Sequence, residues 1–316
     1  MSLDQNQLAI VIPYYNAAGQ IEGVIEKAKG YAGLIIVVDD HSPEPLPPSI
    51  ASQDSVKVIQ TPRNLGVGGA TKHGIQYALE NSTTNIFIKL DADDQMDVAY
   101  IPKLVTPILE EEFQFAKGNR FRDFRALRKM PFPRRFGNLG LSFLSKVATG
   151  YWNCFDFNNG FFAIHRRVCE GIIFENVANN YFFETSLISE LYFQKAAIKE
   201  IPMPAIYGDE KSNMKLFKMP FLFATNLFKK FLGRIWKAYY VYDFNIGTIY
   251  LTFGTLFLAA GILYGGYQWI IHASRDALTP LGTIMLSTLL IILGFQLFLQ
   301  AIQFDILQTP KTKQGD

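Results

Sequence analysis

Asp91-Ala92-Asp93-Asp94-Gln95 places three carboxylates and an amide within five residues, directly after the apolar run Ile86-Phe87-Ile88-Lys89-Leu90. The apolar half has the length and composition of a buried strand, so the acidic half falls at that strand's carboxyl end. In open α/β sheets ligands bind at that edge. Crowded carboxylates repel one another unless a divalent cation offsets them, and hard cations such as Mg²⁺ or Mn²⁺ take oxygen ligands. Mg²⁺ commonly joins one or two carboxylates to substrate phosphates. The cluster is therefore a candidate metal-phosphate site, although taken singly such a stretch also fits a solvated turn.

The elements needed to position it are visible nearby. Leu8 to Ile12, Leu34 to Val38, Val56 to Ile59 and Ile86 to Leu90 are short β-branched runs. They alternate with helix-like segments near Gln20 to Lys29, Val67 to Leu79 and Val98 to Glu111. This alternation predicts an α/β domain with a mainly parallel sheet and helices on both faces. Two further polar loops, Pro13-Tyr14-Tyr15-Asn16 and Asp39-Asp40-His41-Ser42, would emerge at the same sheet edge. A carboxylate there can accept a uracil imide N–H or a ribose hydroxyl, and Tyr14 or Tyr15 could stack on a base. Gly66-Val67-Gly68-Gly69 lacks both the third glycine of a dinucleotide fingerprint and the Gly-Lys-Ser/Thr ending of a P-loop. It reads instead as a tight strand-to-helix turn whose amides can meet an anion.

The last third of the chain is of another composition. Between Asp243 and Arg275 lie 31 residues without a Lys, Arg, Asp or Glu, and between Asp276 and Asp305 another 28. Each exceeds the roughly 20 residues needed to cross a bilayer, and the short turn between them makes a transmembrane hairpin. Lys229, Lys230, Arg234 and Lys237 precede it and Lys311 and Lys313 follow it, while the turn has only Arg275 beside Asp276. The positive-inside rule then puts both flanks in the cytoplasm. The first apolar run, Leu8 to Ile12, is too short for a signal-peptide core. Cys154 and Cys169 have no metal-ligand spacing and suit a reducing compartment.

Four loops together carry a family resemblance: Val11-Ile12-Pro13-Tyr14-Tyr15-Asn16, Val37-Val38-Asp39-Asp40-x-Ser42, Arg63-Asn64-x-Gly66 with Gly74, and Leu90-Asp91-Ala92-Asp93-x-Gln95. They resemble glycosyltransferase family 2. Gly118-Asn119-Arg120 and Asp156-Phe157-Asn158-Asn159-Gly160-Phe161 are similar to elements of its polyprenyl-phosphate branch, which includes bacterial polyprenyl-phosphate glucosyltransferases and dolichol-phosphate mannose synthases. The resemblance covers about residues 8 to 215. It implies a nucleotide-diphospho-sugar transferase (GT-A-like) domain over residues 1–212 and basic amphipathic interfacial helices over 213–243. A transmembrane hairpin would follow over 244–305, with spans about 246–271 and 280–303, and a cytoplasmic tail over 306–316. Two departures stand out. Ala17 follows Asn16 where the family usually has Glu, and Met96-Asp97 follow Gln95 where it often has His or Asn and Pro. A Gln-x-x-Arg-Trp element, found in processive synthases of the family, is absent, which argues against polymer extrusion.

The implied reaction is an inverting, metal-dependent transfer of a hexose, with glucose from UDP-glucose the expected case, to undecaprenyl or another polyprenyl phosphate for a cell-envelope glycan. The enzyme would be a multi-pass protein of the inner (cytoplasmic) membrane, with its catalytic domain cytoplasmic. Pro13, Tyr15, Asp39, Asp40, Asn64 and Asp91 would bind the nucleotide. Asp93, with Gln95 by resemblance and Asp91 nearby, would hold Mg²⁺ or Mn²⁺ against the departing diphosphate. The expected catalytic residues are Asp93, Asp91 and Asp156; the role of Asp156 stays open between base, sugar-hydroxyl anchor and partner of the ring cation.

An anionic lipid acceptor needs cations. Lys117 to Arg135 holds eight basic residues against one acid, and Lys211 to Lys237 seven against none, both interleaved with aromatics. Arg120, Arg122, Arg125, Arg128 and Lys211 are the expected contacts to the acceptor phosphate. Lys230, Arg234 and Lys237 recur on one helical face, as on an in-plane helix lying on an anionic membrane surface. Directly before a transmembrane span, such stretches exclude nucleic acid as the partner, and the apolar hairpin could carry association between copies of the chain. Two alternatives remain: transfer of another sugar to a different membrane lipid, and a non-catalytic nucleotide-binding membrane scaffold, which Ala17 alone favours.

Overall fold

A computed structural model describes residues 4–110, 112–122, 132–204 and 219–312. The chain forms two units, Met1–Phe231 with Pro310–Asp316 and Leu232–Thr309. In the first, seven strands make one sheet: β1 (Leu8–Tyr14), β2 (Leu34–Asp39), β3 (Val56–Gln60), β4 (Ile86–Lys89), β5 (Phe115–Asn119), β6 (Phe162–His165) and β7 (Ile198–Pro202), in the order β3-β2-β1-β4-β6-β5-β7. All seven residues of β1 are buried, because it lies between β2 and β4 with helices over both faces. A strand so placed must be apolar on both sides, which is why Leu8-Ala9-Ile10-Val11-Ile12 reads as an unbroken run rather than an alternation. At the sheet edge β3 alternates instead, with Val56 buried and Lys57 exposed.

The main helices of this unit are α1 (Ala18–Ala28), α2 (Val67–Asn81), α3 (Ile101–Leu109), α4 (Phe132–Thr149) and α5 (Phe183–Phe193). Ile101, Leu104, Val105 and Ile108 recur at helical spacing and bury one stripe of α3 in the same apolar core as Ile10, Ile88 and the buried residues of α1. The parallel pairings expected among the first four strands are present, Ile10 facing Ile35 on β2 and Ile88 on β4. The far side of the sheet departs from a simple parallel order. Strand β6 runs antiparallel between β4 and β5, with Ala163 opposite both Ile88 and Ala116, while β5 and β7 are again parallel.

The second unit contains α7 (Ile246–Ser274) and α8 (Leu281–Leu307), preceded in the chain by α6 (Met219–Trp236). Asn245 caps α7 in a capping box with Thr248. Both helices are long and apolar enough to cross a membrane, and only 22% and 11% of their most apolar stretches are buried. A core helix of a soluble protein would be mostly buried, so the exposure of Ile262, Leu263, Trp269, Ile292 and Phe295 fits lipid-facing surfaces. A Cβ on Gly294 would meet the backbone of Leu258 at 2.5 Å, so glycine is what lets α7 and α8 approach this closely. Within the same unit Arg234 donates from Nη1 and Nη2 to both carboxylate oxygens of Asp305, at 2.6 and 3.0 Å, and Tyr239 Oη adds a third bond at 2.8 Å.

That pair corrects the expected headgroup stripe. Arg234 is buried on Asp305, and Lys230, in the first unit, donates to Asn176 O at 2.8 Å and to Glu190 at 3.1 Å. A buried guanidinium demands a carboxylate, and helical spacing alone cannot tell a protein carboxylate from a lipid phosphate. Phe228, Lys229, Leu232 and Trp236 are exposed in this stretch.

Candidate functional site

The carboxyl ends of β1, β2 and β4 open into a cleft of about 1760 Å³. Pro13, Tyr15, Asn64, Asp91, Asp93, Gln95 and Arg120 all line it, so residues scattered over more than a hundred positions share one concave surface. The volume exceeds the roughly 300–1,000 Å³ of ordinary small-molecule pockets and suits two ligands side by side.

The acidic loop is sorted by its cations. Lys89, the last residue of β4, is buried with Nζ 2.5 Å from Asp91 Oδ1 and 3.9 Å from Glu184 Oε1 on α5. Burial works against its charge, but the Asp91 and Glu184 carboxylates outweigh it and hold the pKa above the usual lysine value. For Glu184 burial is the stronger influence and raises the pKa despite the neighbouring ammonium. Asp94 adopts a left-handed backbone at φ 58° and turns to Lys27, 2.6 Å away at the surface. Asp93 lines the cleft, with Oδ1 accepting from the Gln95 amide at 3.1 Å. Among the described residues, no three His, Cys, Asp or Glu side chains converge as a ready-made metal site.

The expected nucleotide residues divide in two. Tyr15 is 49% exposed and presents its ring, whereas Tyr14 is buried and donates to Glu44 O at 3.1 Å. Asp40 accepts from the amides of Leu65 and Gly66, at 2.8 and 2.7 Å, and from Thr61 at 3.0 Å. Its carboxylate is thereby used in shaping the Asn64 loop, whose Gly66 sits at φ 83°, a conformation open to glycine. Asp39 accepts from the Ser42 amide and Gln60 and stands outside the cleft lining.

Asp156 does not itself line the cleft: it is 2% exposed and accepts from Arg120 N, Nε and Nη2 at 3.0, 2.9 and 2.9 Å. Burial would raise its pKa, but the Arg120 hydrogen bonds and the nearby Lys117 charge outweigh it and bring the value below the usual carboxylate. Both carboxylate oxygens of Asp156 are thus engaged by Arg120. Arg120 lines the cleft, with Nε and Nη2 committed to Asp156. Arg122 is exposed and does not line the cleft; Arg125, Arg128 and Lys211 lie outside the described residues. Past Arg120 the wall becomes apolar, with Phe136, Leu141 and Leu144 of α4 beside Phe223 and Leu227.

Lys89 and Glu184 were not among the expected site residues. A lone lysine inside Ile86-Phe87-Ile88-Lys89-Leu90 was the available signal, since a buried lysine requires carboxylates and the same strand delivers one two residues later.

The family Glycosyl transferase family 2 matches residues 9–173. An uncharacterized protein of Methanocaldococcus jannaschii is 31% identical over 66% of this chain and 84% of its own length. A UDP-N-acetylglucosamine–dolichyl-phosphate N-acetylglucosaminyltransferase of Methanococcus voltae is 26% identical over 63% of this chain and 86% of its own. Among solved structures, glucosyl-3-phosphoglycerate synthase of Mycobacterium tuberculosis, crystallised with Mn²⁺, UDP and glucosyl-3-phosphoglycerate, superposes with a TM-score of 0.53 at 18% identity, covering 72% of this chain and 80% of that one. At that identity the likeness speaks for the shared GT-A fold.

Proposed function

The chain belongs to glycosyl transferase family 2, and on that premise we propose that this glycosyltransferase moves a hexose from a UDP-sugar to a polyprenyl phosphate at the cytoplasmic face of the membrane. One observation carries the reading: a single cleft is lined by the Asp91–Asp93–Gln95 loop and by Arg120, whose guanidinium is held by the buried Asp156. The Methanococcus voltae relative supports a lipid-phosphate acceptor and a UDP donor by its name. The two apolar helices support a membrane anchor, and the basic residues flanking them support cytoplasmic flanks.

The site fits a divalent cation of the Mg²⁺ or Mn²⁺ kind, because Lys89 and Lys27 engage Asp91 and Asp94 while Asp93 and Gln95 line the cleft as oxygen donors. One carboxylate completed by diphosphate oxygens is the habit of such ions. Asp93 and Gln95 would hold it, and its Lewis acidity would stabilise the leaving diphosphate. Tyr15 and Asn64 line the part of the cleft suited to the nucleoside, and Pro13 and the Asp40-shaped loop fix that wall. The acceptor phosphate oxygen attacks the anomeric carbon as the bond to the diphosphate oxygen breaks, releasing UDP with inversion. Because the phosphate is already anionic at neutral pH, no strong base is needed, which suits an Asp156 tied to Arg120. Arg120 would meet the acceptor phosphate, guanidinium being the better fork for such a group.

The test uses the full chain purified in detergent with labelled UDP-glucose, UDP-galactose and UDP-N-acetylglucosamine, Mg²⁺ or Mn²⁺, and polyprenyl phosphate. Label in the lipid fraction from one preferred donor is expected. Label passing only to water, or to a soluble or uncharged acceptor, overturns the reading.

A further inference from the structure

Behind the Arg120–Asp156 pair are two buried charges that do not line the cleft. Lys117 on β5 and Glu200 on β7 are register partners on adjacent parallel strands. Glu200 Oε1 accepts from the backbone amides of Phe155 and Asp156 at 2.8 and 2.9 Å, and Oε2 accepts from Asn119 Nδ2 at 2.6 Å. Lys117 Nζ donates to the carbonyl oxygens of Asp156 and, at 3.4 Å, Gly118. Asp156 is therefore held at its amide by a carboxylate, at its carbonyl by an ammonium and at its side chain by Arg120. Asn119, whose Oδ1 accepts from the Phe121 amide at 2.8 Å, stands next to Arg120 in the chain and joins the two halves of the arrangement.

Charged partners make the shorter and stronger hydrogen bonds, but well-packed apolar side chains often stabilise an interior better than buried ions do. A loop that had only to fold would be served by apolar packing. We infer that Glu200, together with Lys117, is a positioning residue: it fixes the backbone of Asp156 so that the Asp156 carboxylate presents the Arg120 guanidinium to the cleft at one place and angle. The inference rests on the reading that Arg120 serves the acceptor phosphate. Since a displacement near 1 Å can cost up to about a hundredfold in rate, a rigid support for Arg120 matters even though Glu200 touches no ligand.

The test exploits the direction of one hydrogen bond. In Glu200→Gln, Oε1 can still accept from both amides, but Nε2 faces Asn119 Nδ2, donor against donor. In Asn119→Asp the two carboxylates face each other. The double variant Asn119→Asp/Glu200→Gln restores the bond with its direction reversed, keeps the net charge, and leaves an oxygen for the Phe121 amide. We expect kcat to fall about tenfold in Glu200→Gln and further in Asn119→Asp, with KM for the UDP-sugar within twofold. The double variant should recover kcat to within threefold of wild type. Amide hydrogen exchange of residues 153–158, read by mass spectrometry, should accelerate in each single variant and slow again in the double. Exchange that changes while kcat stays within twofold of wild type overturns the positioning role, as does a double variant no faster than its singles. If the single variants fail to fold, Asn119→Ala, which removes the bonds to Glu200 and to the Phe121 amide but leaves both Glu200–amide bonds in place, supplies the same comparison with a smaller expected loss. A wild-type protein that labels no lipid overturns the acceptor reading instead, and the variants are then ranked by donor hydrolysis.

Discussion

The two walls of the cleft use the same device with opposite polarity. On one wall the cation is hidden and the anion shown: Lys89 is 2% exposed and Asp91 28%. On the other the anion is hidden and the cation shown: Asp156 is 2% exposed and Arg120 38%. A buried ion is costly alone, so each hidden charge fixes its visible partner, and the partner's sign decides what the wall can receive. The first wall offers carboxylate oxygens, fit for a cation and the diphosphate that comes with it. The second offers a guanidinium, fit for a phosphate. On the proposed function, the polarity of the hidden partner, rather than the count of charges along the loop, sorts donor from acceptor.

The largest expected effect strikes the first wall. Asp93→Asn keeps shape but removes the carboxylate facing the cleft, and losing about 4 kcal/mol of leaving-group stabilisation is roughly a thousandfold in rate. Turnover within threefold of wild type would break the assignment. Lys89→Met should act on stability as well, because it leaves Asp91 and Glu184 without their shared cation. Removing one partner of a buried pair costs about 3–5 kcal/mol, read by denaturant unfolding of the purified chain; a loss under about 1 kcal/mol would show that the hidden lysine is not what holds that wall.

At the other pair, Arg120→Ala should raise KM for polyprenyl phosphate about tenfold, or ~1.4 kcal/mol, and lower kcat at least as far as Glu200→Gln does, with little change in KM for the nucleotide sugar. Arg120→Lys should recover only part, since a point charge replaces a fork. The hidden acid of that wall sets a pH signature. Arg120 and Lys117 hold the Asp156 carboxyl below its ordinary range against the effect of burial. Its contribution to stability is therefore fully present above the unfolded value, about 3.9, and is lost as pH falls through the lower folded value. The gap in unfolding midpoint between wild type and Asp156→Asn should stay constant from pH 7 to about 5 and close below about pH 4. A gap that widens on acidification reverses the sign and contradicts the pairing. The smallest effect belongs to Asp94→Asn. Its pair with Lys27 is exposed on both sides, so stability should move by less than about 1 kcal/mol and turnover by less than twofold.

Much of the first wall is legible in the sequence, because strand β4 and its acidic loop are contiguous and a strand must hand its next residues to the sheet edge. The same logic places Pro13 and Asn64 at that edge from the ends of β1 and β3. The second wall is less legible. Its strand β5, Phe115-Ala116-Lys117-Gly118-Asn119, has polar side chains at two of five positions yet is wholly buried, since Lys117 and Asn119 find partners more than 35 positions away. No local pattern announces a strand stabilised in that way, nor the antiparallel β6 wedged beside it. The fate of Lys230 and Arg234 was hidden for the same reason: Glu190 and Asp305, which engage them, lie 40 and 71 positions distant.

The central claim is that the walls divide the work by charge, and a crossed comparison of Asp93→Asn and Arg120→Ala tests it most directly. Metal-dependent UDP binding, measured by titration calorimetry, and KM for polyprenyl phosphate are read on both variants. Asp93→Asn should lose metal-dependent UDP binding while Arg120→Ala keeps it, and Arg120→Ala should lose acceptor affinity. If Arg120→Ala instead loses UDP binding and keeps its acceptor KM, the guanidinium wall belongs to the donor and the division is wrong.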